Sequence, residues 1–164
     1  MTFTIETATR VHLTQMVDIL NDIIAAGCFT AHRRRFDAPR MLDHYLEPSG
    51  VISCVVALED ADVLGFQSLE WDRNDTEGTT ASIATFVRLT TQRAGIARAM
   101  FAETRRHAIA AGAQKIDATI RADNVRGLGF YRSQGFIDAH VYPDVPLSDG
   151  VKVDRIQTLY DLAR

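Results

Sequence analysis

The chain has 164 residues, 46% hydrophobic and 24% charged, a size and composition that suit one globular domain with a real core. Its formal net charge of -3 argues against a globally basic nucleic-acid binder. No segment is long and apolar enough to suggest a membrane span. The two cysteines, Cys28 and Cys54, have no zinc-ligand spacing, and no histidine pair has metal spacing, so no metal is expected. The opening "MTFTIETATRVHL" lacks an apolar run of signal-peptide type, which makes a cytoplasmic location the expectation.

In chain order, "FTIETA" (3–8) alternates like a half-buried strand. Residues 11–27 place Leu13, Met16, Val17, Leu20, Ile23 and Ile24 at helical spacing, with Gly27 where a helix-ending glycine belongs. The run His32-Arg33-Arg34-Arg35 reads as a solvated basic loop, or as a contact for an anionic substrate or partner. Residues 37–46 read as a second helix with Pro39 in its first turn. "VISCVVALE" (51–59) and "VLGFQSLEW" (63–71) form a predicted hairpin across the turn at 60–62, and 79–89 a third strand. A helix follows from the "QRAGIA" turn to Gly112. "KIDATI" (115–120) is a strand, 124–134 a short helix that Asn124 can cap, and 135–142 and 153–162 the last two strands.

The order is therefore β-α-α-β-β-β-α-β-α-β-β. The strand-helix-strand unit at 79–120 calls for a parallel pair and a right-handed crossover, and the hairpins around it for antiparallel pairing. The predicted architecture is α/β (α+β): a mixed, mostly antiparallel sheet of about seven strands with about four helices on its faces.

Gln92-Arg93-Ala94-Gly95-Ile96-Ala97 joins a strand end to a helix start. At such a junction several backbone N–H groups lack helical partners and the helix dipole adds positive charge, which together suit a pyrophosphate. Gly95 and Ala97 keep the backbone accessible, and Arg93 and Arg98 add charge. Neither a nucleoside-triphosphatase loop nor a dinucleotide fingerprint is present. Further on, Asn124 and Tyr131 stand seven residues apart, within about 20° on a helix face, so amide and phenol point the same way.

These two stretches resemble the GNAT superfamily of N-acetyltransferases. "QRAGIA" is similar to its Gln/Arg-x-x-Gly-x-Gly/Ala pyrophosphate loop at Gln92, Gly95 and Ala97. "NVRGLGFYRSQGF" is similar to its later motif at Asn124, Tyr131, Gly135 and Phe136. The resemblance implies acetyl-CoA as donor. Its phosphates would rest on the backbone of Gln92, Arg93, Ala94, Gly95, Ile96, Ala97 and Arg98. Its pantetheine arm would pair with the strand end at Phe86, Val87 and Leu89, where the parallel strands splay, and Asn124 would hydrogen-bond it.

Acetyl transfer needs a neutral amine, and a lysine-type amine titrates near about 10.4 against about 7.7–8.0 for an α-amine. It also needs donors for the carbonyl oxygen and an acid for the leaving sulfur. By analogy Tyr131 is the acid, and the Val87 N–H or a neighbour the oxygen's donor. Phosphinothricin-type relatives carry a glutamate in the strand before the loop; here that position falls near Ser82, in a strand with no acid. Glu70 at the preceding strand end, Glu77 in the loop, or water held by Ser82 or Thr85 are the candidate bases, and an α-amine needs little help.

The stretch "GCFTAHRRRFDAPRMLDHY" is similar to the acceptor region of the phosphinothricin and methionine-sulfoximine acetyltransferase subgroup. It implies a pocket of Phe29, Thr30, Phe36, Trp71, Arg73 and Ser82 for a small amine, an amino acid or an analogue. Transfer to protein N-termini or lysines, and a non-catalytic acyl-CoA-binding regulatory module, are the alternatives. A homodimer through the C-terminal strands is expected from the same resemblance.

Overall fold

The computed structural model describes residues 2–163. Strands β1 (Thr4–Thr7), β2 (Val51–Glu59), β3 (Asp62–Trp71), β4 (Thr80–Val87), β5 (Lys115–Arg121), β6 (Ile137–Pro146) and β7 (Lys152–Asp161) form one seven-stranded sheet. Their order is β1-β2-β3-β4-β5-β7-β6. All pairs are antiparallel except β4 with β5. Helices α1 (Leu13–Ala26), α2 (Ala38–Met41, continuing as a π turn over Leu42–Leu46), α3 (Ile96–Ala110) and α4 (Val125–Ser133) complete the α/β fold.

The element order expected from periodicity is the order observed. Helix α1 buries Met16, Ile19, Leu20, Ile23 and Ile24 and stops at Gly27, whose φ of 103° an L side chain rarely adopts. Asp37 caps α2 by accepting from the Arg40 N–H at 2.9 Å, with Pro39 in the first turn. The last hairpin differs. Phe136 is a core residue ahead of β6 instead of its start, and β6 runs on to Pro146 past an irregularity at Asp144, φ 51°.

Apolar clusters cover both faces of the sheet. Met16, Leu20, Ile23, Met41 and Tyr45 pack on the face of Cys54, Val56, Phe66 and Phe86. Phe101, Tyr131 and Phe136 pack on the opposite face, against Leu69, Ala81, Ile83, Ile116 and Ala118. Strand alternation then assigns the remaining side chains. Ser82 and Asp117 lie on the α1–α2 face, because their chain neighbours Ala81, Ile83, Ile116 and Ala118 belong to the α3–α4 core.

Strands β4 and β5 pair only at Thr80–Lys115, Ala81–Ile116 and Ser82–Asp117. Beyond Ser82 they diverge, so the sheet opens at its middle. Gly65 lets β3 keep close to β4 there: a Cβ on it would meet the Phe86 carbonyl oxygen at 2.7 Å and Val87 Cα at 3.2 Å.

Candidate active site

A cleft of about 1170 Å³ occupies the opening between β4 and β5 and reaches both faces of the sheet. Its backbone edge follows from register. The Arg88 N–H donates to the Leu64 carbonyl at 2.8 Å and the Asp72 N–H to the Thr80 carbonyl at 3.0 Å. Even-numbered residues of β4 therefore bond to β3, and the N–H and C=O groups of Thr85 and Val87 face the cleft. Phe86, expected to offer its backbone here, turns that backbone to β3 and buries its ring beneath α1, against Tyr45 and Phe66. Leu89 lines the cleft from the turn after β4.

At one end of the cleft lies the N-terminus of α3. Gly95 precedes it at φ 83°, and no side chain caps the helix. The Ala99 N–H donates to the Gly95 carbonyl at 2.9 Å, which leaves the amides of Ile96, Ala97 and Arg98 ahead of the ladder. A Cβ on Gly95 would meet no atom within 4 Å, so its backbone angle, not crowding, favours glycine there. Arg93, Ala94, Gly95, Ile96 and Ala97 line the cleft. Gln92 and Arg98 are exposed and lie outside the lining, and Arg93 also pairs with Glu59.

Asn124 lines the cleft, but its amide has internal partners. Oδ1 accepts from the Gly127 N–H at 2.9 Å to cap α4, and Nδ2 donates to the Phe29 carbonyl at 3.3 Å. Tyr131 is buried in the cleft wall, with its hydroxyl 2.9 Å from Thr85 Oγ1. Gln67 Nε2 donates to the same oxygen at 2.9 Å. That donation occupies one lone pair of Thr85, leaving its O–H free to donate to the phenol oxygen and the phenolic O–H free to point elsewhere. Burial pushes the Tyr131 phenol up to about 12, partly offset by the Thr85 bond.

The α1–α2 face closes the other end. Phe29, Thr30, Ala31 and His32 line it, with Ser82, Asp117, Thr119, Arg155 and Gln157. Arg121 holds this wall in place. Its Nη1 donates to the Gly27 carbonyl at 2.9 Å and the Thr30 carbonyl at 3.3 Å while the guanidinium pairs with Asp123 at 2.7 Å. Arg33 of the basic run pairs with Asp149 at 2.8 Å and donates to the Gly27 carbonyl at 3.0 Å, so it too ties the wall down. His32 meets the Tyr45 hydroxyl at 2.7 Å, and its imidazole is pushed down to about 4, first by burial and then by His44, Arg40 and Arg155.

Besides Gln92 and Arg98, four expected site residues fall outside the cleft lining, each for a local reason. Asn21 holds both backbone groups of Phe36, at 2.7 and 2.9 Å, and draws its ring into the α1 core. Trp71 follows Leu69 on the alternation and packs toward the α3–α4 core. Arg73 is exposed in the loop after β3. Glu70 sits across from Ser82 on the β3 side, among the charges that act on His44 and Tyr45. The acidic loop residue Glu77 is exposed. Residues that the sequence did not single out are Asp117, Arg155 and Gln157; His32 belongs to the basic run already noted. Asp117 left one readable trace, a carboxylate set between Ile116 and Ala118 in the strand "KIDATI".

The arrangement is a cleft threaded through a split sheet, with an uncapped helix N-terminus at one end and a buried phenol in its wall. The chain superposes on an N-acetyltransferase from Staphylococcus aureus Mu50 with a TM-score of 0.85 and 19% identity, covering 99% of each chain. A GNAT superfamily phosphinothricin acetyltransferase from Sinorhizobium meliloti, solved in complex with acetyl-CoA, matches with a TM-score of 0.84 and 19% identity over 98% of this chain and 89% of that one. A ribosomal-protein-alanine N-acetyltransferase from Brucella melitensis matches with a TM-score of 0.81 and 21% identity, covering 96% and 99%. No curated protein matches the sequence. The pattern of the acetyltransferase (GNAT) family matches residues 16–136, and the chain belongs to that family. It is an acyltransferase of the N-acetyltransferase type. Among the described residues, no helix is long and apolar enough to cross a membrane.

Proposed function

We propose that this protein is a single catalytic domain that transfers the acetyl group of acetyl-CoA to the primary amine of a small molecule, an amino acid or an analogue of one, by direct attack in a ternary complex. The observation that carries this reading is the cleft itself. It joins an uncapped helix N-terminus, a free strand edge and a buried phenol in one continuous space.

The residues present fit the donor. The amides of Ile96, Ala97 and Arg98, with the α3 dipole, suit the pyrophosphate, and Arg93 lies beside them. The Val87 backbone suits the pantetheine arm, and its N–H is placed to stabilise the carbonyl oxygen as it gains charge. Asn124 acts here mainly by capping α4 and holding Phe29. Tyr131 faces the leaving sulfur. With the phenol at about 12 and an ordinary thiol at about 8.5, Tyr131 serves best as a hydrogen-bond donor that steadies the departing thiolate.

The acceptor end favours a small zwitterion. Arg155 is partly buried in the cleft wall, and its Nε has no hydrogen-bond partner. A carboxylate on the acceptor would pair with the Arg155 guanidinium where that lines the cleft, while the amine stays near Asp117. The wall at Phe29–His32 is tied down by Arg121 and Arg33, which supports a closed pocket over the open groove a protein N-terminus or lysine would need. Self-association through the C-terminal strands is supported by edge strand β6, which leaves Ile137, Val141 and Tyr142 exposed.

A thiol-release assay with free amino acids, simple alkylamines and peptides tests the assignment. Free amino acids are expected to turn over best, and Arg155→Gln to raise KM for them by about 10-fold or more through loss of a charged hydrogen bond. Turnover confined to peptides would overturn the small-molecule reading.

A further inference from the structure

We propose that Asp117 is the proton acceptor for the attacking amine, in place of the carboxylate that β4 lacks. This rests on the acetyl-transfer reading above and deepens it. Ser82 and Asp117 are the last paired residues of β4 and β5. Side chains of directly paired residues share a face, so the Asp117 carboxylate stands beside Ser82 where the two strands part. Sequence reasoning sought an acid on β4 near Ser82; the sheet supplies one from the neighbouring strand. Tyr131 enters the cleft from the α3–α4 face and Asp117 from the α1–α2 face, so amine and sulfur meet different groups on opposite sides of the carbonyl.

The carboxylate is held for this use. Thr119 Oγ1 donates to Oδ1 at 2.6 Å and Gln157 Nε2 donates to Oδ2. Burial raises its pKa above the usual carboxylate range; Asp72 on the loop after β3 adds to this, and the two hydrogen bonds and Arg155 on β7 oppose it. Lys115 and Arg121 on the same strand, Asp75 on the loop after β3, and His32 and Tyr45 on the facing wall also line the cleft, and Glu70 stands across Ser82 on β3. His32 is already engaged, because its ring nitrogen meets the Tyr45 hydroxyl at 2.7 Å.

The proton count closes. An ammonium acceptor gives one proton to the Asp117 carboxylate and becomes a neutral amine. Its nitrogen forms the C–N bond to the acetyl carbon as the C–S bond breaks, and its second proton ends on the sulfur as the thiol. Asp117 then returns its proton to solvent.

The test compares the wild-type protein with Asp117→Asn on two acceptor sets: alkylamines that are ammonium ions at assay pH, and weakly basic nucleophiles such as hydroxylamine that are already neutral. Asp117→Asn is expected to lower kcat/KM for alkylamines by about 10²–10³-fold and hydroxylamine turnover by only a few-fold. It should also abolish the acidic limb of the pH profile and leave the acetyl-CoA dissociation constant within about two-fold, since Asp117 lies on the acceptor face. Independently of turnover, the Asp117 side-chain carboxyl carbon should titrate by NMR above the ordinary range of about 3.9 for aspartate. Equal losses on both acceptor sets, an unchanged rate, or an ordinary carboxyl titration would each overturn the role. No thiol release by the wild-type protein on any amine would instead overturn the acetyl-transfer reading itself. Should Asp117→Asn fail to fold, the wild-type pH profile and the NMR titration decide the matter.

Discussion

The hydroxyl of Tyr131 lies 2.9 Å from the hydroxyl of Thr85, joining α4 to β4 across the cleft. Gln67 on β3 extends the contact, so three elements fix the direction of one phenol. Tyr131→Phe keeps the ring packed against Phe130 and Phe136 and removes only the hydroxyl. It is expected to lower kcat by about 10²-fold with little change in acetyl-CoA affinity, measured by stopped-flow thiol release and calorimetry. With the phenol at about 12, no alkaline limb below pH 10 should belong to it. An unchanged kcat would remove Tyr131 from the mechanism.

Thr85→Val preserves shape but leaves Gln67 Nε2 without its partner, in a fully buried side chain whose Oε1 already lacks one. Stability should fall by about 1–3 kcal/mol in a urea titration. The rate should also fall, since nothing then aims the phenol. Thr85→Ser should restore most of both. Failure of serine to rescue would mean that packing by the threonine methyl matters more than the hydroxyl relay.

Gly65→Ala places a Cβ 2.7 Å from the Phe86 carbonyl oxygen, closer than real Cβ atoms come. Strands β3 and β4 must shift, and the expected cost is about 1–3 kcal/mol, read as a lowered thermal midpoint. Because Val87 lies beside the same contact, the KM for acetyl-CoA should rise as well. An alanine variant with wild-type stability would mean that the two strands part easily.

His32 makes stability depend on pH. Its pKa is lowered to about 4 in the folded protein, against about 6.5 unfolded. Between these values the unfolded chain binds more protons, so stability rises with pH through this window and is lost on acidification from about 6.5 toward about 4. The loss is on the order of 3 kcal/mol, and denaturant titrations at pH 7, 5.5 and 4.5 measure it. His32→Gln should flatten this part of the profile. A variant with the same slope as the wild type would place the dependence elsewhere, with His44 the next group, since burial lowers it too.

Much of this was legible in the sequence because it is local. Apolar spacing marked α1, Gly27 its end, Asn124 the cap of α4, and apolar patterning the succession of strands and helices along the chain. The turn at Gln92–Ala97 marked an uncapped helix start, because dihedral angle and helix dipole depend only on near neighbours. What the tertiary structure alone decided is who stands beside whom. Asp117 meets Ser82 through the register of two strands separated by a whole helix. Arg155 reaches the cleft only because β7 inserts between β5 and β6. Phe36 leaves the pocket because Asn21, fifteen residues away, holds its backbone. Periodicity says which face a residue takes on its own element; only the packed sheet says what that face meets, and the amine chemistry proposed here is set by that second fact.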